Sequence, residues 1–151
     1  MYHIYSSWLG TLMANFLCAV PQILENNYQI GLKNGVWGVI EDYELMIKRV
    51  LPGDLLVFVV SGAFKSIHEI NSKYYHESSL IWPSHNRGSV YPFRIRISPS
   101  IHSGTVLVSE IADRISFMKG KVHGGTIQGR NGVFNSKLNE QDMKLIIEKM
   151  S

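Results

Sequence analysis

Among the residues of this chain whose types could do chemistry, two tryptophans stand out. Trp82 lies in a polar loop, before Pro83 and beside Ser84, His85, Asn86 and Arg87. A large aromatic in such surroundings calls for a partner, either a core it folds back onto or a ligand. Trp37 sits in Val36-Trp37-Gly38-Val39, just after Asn34-Gly35. From that window alone it fits a core residue as well as a ligand wall. Indole faces stack on nucleobases, and neighbouring Arg and Lys side chains can hold phosphates.

The usual catalytic patterns are missing. There is no G-x-x-x-x-G-K-[ST] loop, no dinucleotide fingerprint after a strand and no G-x-S-x-G elbow. The six histidines, His3, His68, His76, His85, His102 and His123, include no pair at i+3 or i+4. No helical metal site is therefore expected, and His68-Glu69 lacks the second histidine of a zinc-protease helix. Cys18 lies inside an apolar run, where a buried inert thiol is expected rather than a nucleophile. Glu41, Asp42 and Glu44 read as a solvated charge run. The expectation is a protein without catalytic residues, metal or cofactor.

At 151 residues, 45% hydrophobic and 18% charged, the chain is large enough for one domain with a real core. A single cysteine excludes an internal disulfide and every multi-cysteine zinc pattern, and points to a reducing cytoplasm. No apolar run approaches the ~20 residues of a membrane helix, and the start lacks a signal-peptide pattern. Net charge is +3, unevenly spread. Residues 1–40 are neutral and residues 41–83 hold four bases against six acids. Residues 84–151 hold ten bases against five acids. The basic second half suits a polyanion partner, although a mildly basic soluble surface accounts for it equally well.

The elements that must position these residues follow from pattern. Asn15–Val20 (NFLCAV) reads as a buried strand, and Pro21 suits the first turn of a helix over Gln22–Lys33. Val36–Ile40 is a second strand, and Glu41–Val50 a short helix or irregular crossing. Leu51-Pro52-Gly53-Asp54 is a turn. Leu55–Val60 (LLVFVV) is the best strand in the chain, with a turn at Ser61-Gly62. Phe64, Ile67 and Ile70 lead toward a strand at Tyr74-Tyr75, and residues 76–90 form a polar loop. Tyr91–Ile97 alternates Phe93, Ile95 and Ile97 with Arg94 and Arg96, one face buried and the other wet and basic. Thr105–Val108 reads as a further strand and Glu110–Met118 as a short helix. Asn139 caps a final amphipathic helix carrying Met143, Ile146, Ile147 and Met150. The sum is an α+β domain with a curled, mostly antiparallel, barrel-like sheet and helices packed around it.

In this order the segments resemble the EVE and YTH families of the PUA-like superfamily, from about Asn15 to Met150. The pieces are NFLCAV, NGVWGV (34–39), IKRVLPGDLLVFVV (47–60), SIHEI (66–70), IWPS (81–84), YPFRIRI (91–97) and GRNGVFNSKL (129–138) before the last helix. The PGD turn, IWP and YPFR look most like EVE. GVW, the later loop tryptophan and an arginine before the last helix look like YTH. The resemblance implies a non-enzymatic module that binds nucleic acid and holds one modified base, often methylated, in an aromatic pocket. By resemblance, Trp37 and Trp82 match the pocket walls, and Gln22 and Asn26 lie where base-edge contacts fall. Arg130 matches a phosphate contact, and Arg87, Arg94, Arg96, Lys119 and Lys121 are expected to complete a basic rim. The chain departs from some YTH members in having no basic residue after the first strand. On this reading Trp82→Ala leaves the fold nearly intact, because a ligand wall in a polar loop needs no core packing.

Residues 1–12 precede the resemblance as an extension of uncertain order, and residues 13–151 form the domain. The expected partner is DNA or RNA carrying a modified base, bound by a monomer. Two alternatives remain. An amidohydrolase acting on an acylated nucleoside, as in the related ASCH family, would need groups such as Lys65 and Glu69 to converge in the pocket. A protein- or metabolite-interaction module would show a shallower one.

Overall fold

Six apolar residues in a row, Leu55 to Val60, leave no polar alternate for solvent, so a strand built from them must be covered on both faces. The computed structural model, which describes residues 13–83, 88–116 and 136–151, shows both covers. The chain runs β1 (Asn15–Val20), α1 (Glu25–Asn34), β2 (Val36–Val39), α2 (Glu44–Ile47), β3 (Leu55–Val60) and β4 (Ala63–Ile70). It continues with β5 (Tyr75–His76), β6 (Phe93–Leu107), α3 (Val108–Ile111), β7 (Ser136–Lys137) and α4 (Glu140–Met150). The sheet order is β2-β6-β4-β3-β1-β7, with β5 also on β6. β1 and β3 run parallel and the other pairings are antiparallel. The result is a curled mixed sheet, a half-barrel with helices packed around it.

Alternate residues of the central strands feed two cores. Leu17, Ala19, Leu55, Val57 and Val59 pack with Met143, Leu145 and Ile146 of α4. Phe16, Cys18, Val20, Leu56, Phe58 and Val60 pack with Tyr28 of α1, Trp37 of β2 and Ile95 of β6. Each large apolar side chain so buried contributes about 1.5–3 kcal/mol. The β3–β4 hairpin turns at Ser61 (φ 51°) and Gly62 (φ 81°). Positive φ at both central residues matches the right-handed twist of the flanking strands, and glycine takes its place there without strain.

Four expectations need correction. The helix over Gln22–Lys33 begins as a tight 3-10 turn, Gln22–Leu24, before α1 proper. The strand expected at Tyr74-Tyr75 is the two-residue β5, and the main strand is Ala63–Ile70. The elements expected at Tyr91–Ile97 and Thr105–Val108 are one 15-residue strand, β6, which passes through Pro99. Its first part pairs with β2 and its remainder with β4. Pro99 falls where the β4–β6 register slips between His68/Ser100 and Ile70/Ile97, so its missing N–H breaks no ladder bond. At the C-terminus, Asn139 caps α4, its side chain accepting from Asp142 N while Asp142 accepts from Asn139 N. In place of the helix expected over Glu110–Met118 stand the short α3 and a 3-10 turn, Ala112–Arg114, with the backbone extended at Ile115; the extension expected at residues 1–12 lies outside the described residues. Among the described residues, no helix is long and apolar enough to cross a membrane.

One buried polar chain crosses the second core. Tyr28 Oη lies 2.6 Å from Ser66 Oγ, which lies 2.7 Å from His68 Nε2, and His68 Nδ1 is 2.9 Å from the Ser98 carbonyl oxygen. A carbonyl only accepts, so His68 Nδ1 carries the proton and donates. Nε2 then accepts from Ser66, and Ser66 accepts from Tyr28. Every member is satisfied with His68 neutral. Burial lowers the His68 pKa from its ordinary 6.5, opposed in part by the Ser98 carbonyl. The unfolded chain therefore binds a proton that the folded chain resists. The contribution is fully present above the unfolded value and is lost as pH falls through the folded one. We expect the melting temperature to hold above pH 6.5, the ordinary value of the group, and to decline as pH falls below it. His68→Asn, which keeps a donor and an acceptor but cannot charge, should flatten that decline.

Candidate ligand recess

Trp37 occupies the second position of β2, opposite Ile95 of β6. Its ring packs edge-to-face on Phe58, centroids 5.0 Å apart, and it is only 7% exposed. Trp82 arrives from the far side, on the segment between β5 and β6. Its ring meets Trp37 nearly perpendicularly at 6.1 Å and Tyr91 at 5.6 Å. It lies directly on Gly38, where a Cβ would come within 3.1 Å of the indole and 2.7 Å of the Tyr91 carbonyl oxygen. Only glycine permits that approach. Trp82 Nε1 donates to the Asn27 carbonyl at 3.0 Å, tying the segment to α1.

Arg94 holds this segment in place. It is fully buried, and its guanidinium carbon sits 5.2 Å from the Trp82 ring centroid. All five of its N–H donors are used. Nε donates to the Tyr91 carbonyl at 2.9 Å. Nη1 donates to Glu77 Oε2 and Ser79 Oγ, both at 3.0 Å, and Nη2 to the carbonyls of Ser79 and Val90. The backbone thus fixed includes Tyr91, whose φ of 54° is a costly conformation for a bulky residue. Ser89 Oγ accepts from Tyr91 N at 3.0 Å and donates to Glu41 Oε1 at 2.8 Å, linking the segment to the 3-10 turn Glu41–Tyr43.

Together these groups wall a recess at the C-terminal end of β1. Trp37, Trp82, Tyr43 and Tyr91 supply aromatic walls, with Pro21, Leu24 and Asn27 from the approach to α1 and Gly38, Val39 and Ile40 from β2. No charged side chain among the described residues lines it. The cavity volume is about 30 Å³, room for about two waters at most. The Trp37 N–H is buried and makes no hydrogen bond among the described residues. Its contact with the Cys18 sulfur falls short of hydrogen-bond geometry. Burial pushes that thiol far up, which leaves it inert, and the Trp37 contact opposes the shift weakly.

The structure brings Trp37 and Trp82 together and separates them from other residues singled out by sequence. Gln22 and Asn26 are exposed and do not line the recess. The 3-10 turn advances the chain faster than an α-helix, and the inward positions fall on Leu24 and Asn27 instead. Arg94 is corrected from a rim cation to a buried scaffold residue, because the segment carrying Trp82 covers its side of β6. Arg96 remains exposed, its guanidinium 5.5 Å from the Tyr75 ring centroid. Arg87, Lys119, Lys121 and Arg130 lie outside the described residues. Lys65 donates to Thr105 Oγ1 on an exposed strand face and does not converge with Glu69 on the recess. Asn27, Tyr43 and Tyr91 were missed. The tyrosines carry no local motif, and only the fold gathers them. No group of three or more metal-ligating side chains occurs among the described residues.

The fold is YTH-like. The chain is similar to the YTH domain of the Zygosaccharomyces rouxii MRB1 protein, solved in complex with N6-methyladenosine RNA. The TM-score is 0.60 at 17% identity, over 91% of this chain and 86% of that one. The Mmi1 YTH domain solved with RNA gives a TM-score of 0.61 at 16% identity, over 91% and 79%. At such identities the likeness is one of fold. The sequence is 32% identical over 145 residues to a UPF0310 protein of Pyrococcus abyssi, covering 89% of this chain and 97% of that protein. The chain belongs to the UPF0310 family. No family model matches it.

The geometry reverses the expectation for Trp82. At 2% exposure, with a hydrogen bond, two aromatic contacts and Arg94 against it, Trp82 is a structural member of the recess. Trp82→Ala should cost about 3–5 kcal/mol of stability, read as a large drop in melting temperature. A variant that melts like the parent would contradict this packing.

Proposed function

We propose that this protein is a non-enzymatic module that binds nucleic acid and seats one modified, methylated base in the recess walled by Trp37 and Trp82. The observation that carries the reading is the meeting of two indoles and two tyrosines around one uncharged recess. A neighbour in fold was solved with N6-methyladenosine RNA, which supports the same reading. The two indoles meet edge to face and form adjacent walls. A base held between two faces needs roughly 7 Å, twice the carbon contact distance, so seating one requires the walls to part.

Burying a methyl gains only ~0.8 kcal/mol, about fourfold in affinity. Discrimination must also come from a penalty on the unmodified base, such as a polar N–H left unpaired in a dry recess, at ~1–3 kcal/mol. Phosphate contact falls to other parts of the chain. Arg87, Lys119, Lys121 and Arg130 lie in the segments 84–87 and 117–135, which hold no acid. With those four set apart from the 15 Lys and Arg, the described residues carry 11 bases against all 12 acids. Arg96 is an exposed cation that can join them. The hydrolase alternative is disfavoured because neither Lys65 nor Glu69 lines the recess.

The test is titration of short RNA and DNA strands carrying one base methylated on a ring carbon, a ring nitrogen or the exocyclic nitrogen, against unmodified strands. At least one modified strand should bind about 5- to 100-fold tighter than its parent. With three or four phosphates neutralised, log affinity should fall against log salt with a slope of roughly −2 to −4. Binding indifferent to both modification and salt would overturn the reading.

A further inference from the structure

We propose that the base this recess prefers is a cationic one, methylated on a ring nitrogen of its pairing edge so that the ring is positively charged at neutral pH. The inference rests on the reading of the recess as a base site and names the chemistry of its ligand.

Three observations point the same way. The walls are the rings of Trp37, Trp82, Tyr43 and Tyr91, whose faces attract cations, and no Lys, Arg or His among the described residues lines the recess. The mouth carries carboxylates. Glu41 and Asp42 lie between two lining residues, Ile40 and Tyr43, in the turn that closes one side. Glu41 is held in place there: its carboxylate accepts from Ser89 Oγ at 2.8 Å, and Ser89 accepts from the backbone N–H of the lining Tyr91 at 3.0 Å. Among the described residues, the guanidinium against these walls is that of Arg94, which is paired with Glu77 at 3.0 Å and has no donor left to spend. Among the described residues, the charged groups beside the recess therefore favour positive charge, although the chain as a whole is basic.

The preference also resolves the weakness of methyl recognition. A neutral methylated base differs from its parent by one small apolar group. A base methylated at N1 of adenine or N3 of cytosine differs by a whole charge, which aromatic faces and carboxylates read strongly once water is excluded. The same methyl blocks Watson–Crick pairing, so such a base is already unpaired and costs little to extrude.

The experiment uses isomers that differ in charge but not in methyl count. The full-length protein is titrated with 1-methyladenosine against N6-methyladenosine, and with 3-methylcytidine against 5-methylcytidine, by calorimetry or tryptophan fluorescence at neutral pH. The charged isomer of at least one pair should bind about tenfold tighter or better. Glu41→Gln keeps the acceptor for Ser89 and removes the charge. It should shrink that preference several-fold, through weaker binding of the charged isomer. Neutral isomers binding as tightly as charged ones would overturn the inference and leave the base-reading function standing. A preference that survives Glu41→Gln unchanged would remove the carboxylate from the explanation. Failure of every methylated nucleoside and every methylated strand to bind would overturn the function itself, and this inference with it.

Discussion

The recess depends on one buried guanidinium. An arginine taken wholly out of water is prohibitively unfavourable unless every donor is met and its charge balanced. Arg94 meets both conditions with groups drawn from a single segment: Glu77, Ser79, Val90 and Tyr91. That demand turns a stretch rich in polar residues into a fixed wall. It orients the carbonyls on either side of Trp82, holds Tyr91 at a φ that a tyrosine otherwise avoids, and lays the indole against Gly38. Removing the guanidinium would leave the carbonyls of Ser79, Val90 and Tyr91 without their donor, at a cost of about 1–3 kcal/mol for the buried Tyr91 carbonyl.

Behind that wall stands the sheet. β2 and β6 deliver Trp37, Gly38 and Arg94 in register, with Gly38 opposite Arg94. Phe58 of β3 connects Trp37 to the second core, and its ring also meets His68 edge-to-face at 5.4 Å. Tyr28 of α1 packs on Phe58 and hydrogen-bonds to Ser66, so the helix bearing Asn27 is anchored by the same core. The recess therefore has one rigid half, built on strands and α1, and one half made of connecting segments pinned to it.

The strands β1 and β3 were legible because continuous apolar runs admit few other interpretations. β6 was not, because Pro99 interrupts the local pattern while pairing with β4 carries the strand across it. Period-two alternation placed Arg94 and Arg96 on one face correctly. It could not say that Trp82 and its segment cover that face over Arg94 and leave it open over Arg96. Trp82 was readable as a residue in need of a partner, yet the polar letters around it concealed that the partner is the protein itself. Asn27 was missed in favour of Asn26 because a three-residue 3-10 turn shifts the helical phase, a change that side-chain periodicity does not reveal.

The assignment of Arg94 as the organiser of the recess, and not a phosphate ligand, separates this account from the plain reading of the sequence. Arg94→Lys tests it most directly, with melting temperature and the salt dependence of strand binding measured on the same preparation. Lysine keeps the charge but offers three donors in place of five and no planar face for Trp82. The account predicts a clear loss of stability, a shift of the Trp82 indole N–H resonance, and an unchanged slope of log affinity against log salt. A variant that folds as stably as the parent but whose salt slope falls by about one unit, the signature of a lost phosphate contact, would contradict it.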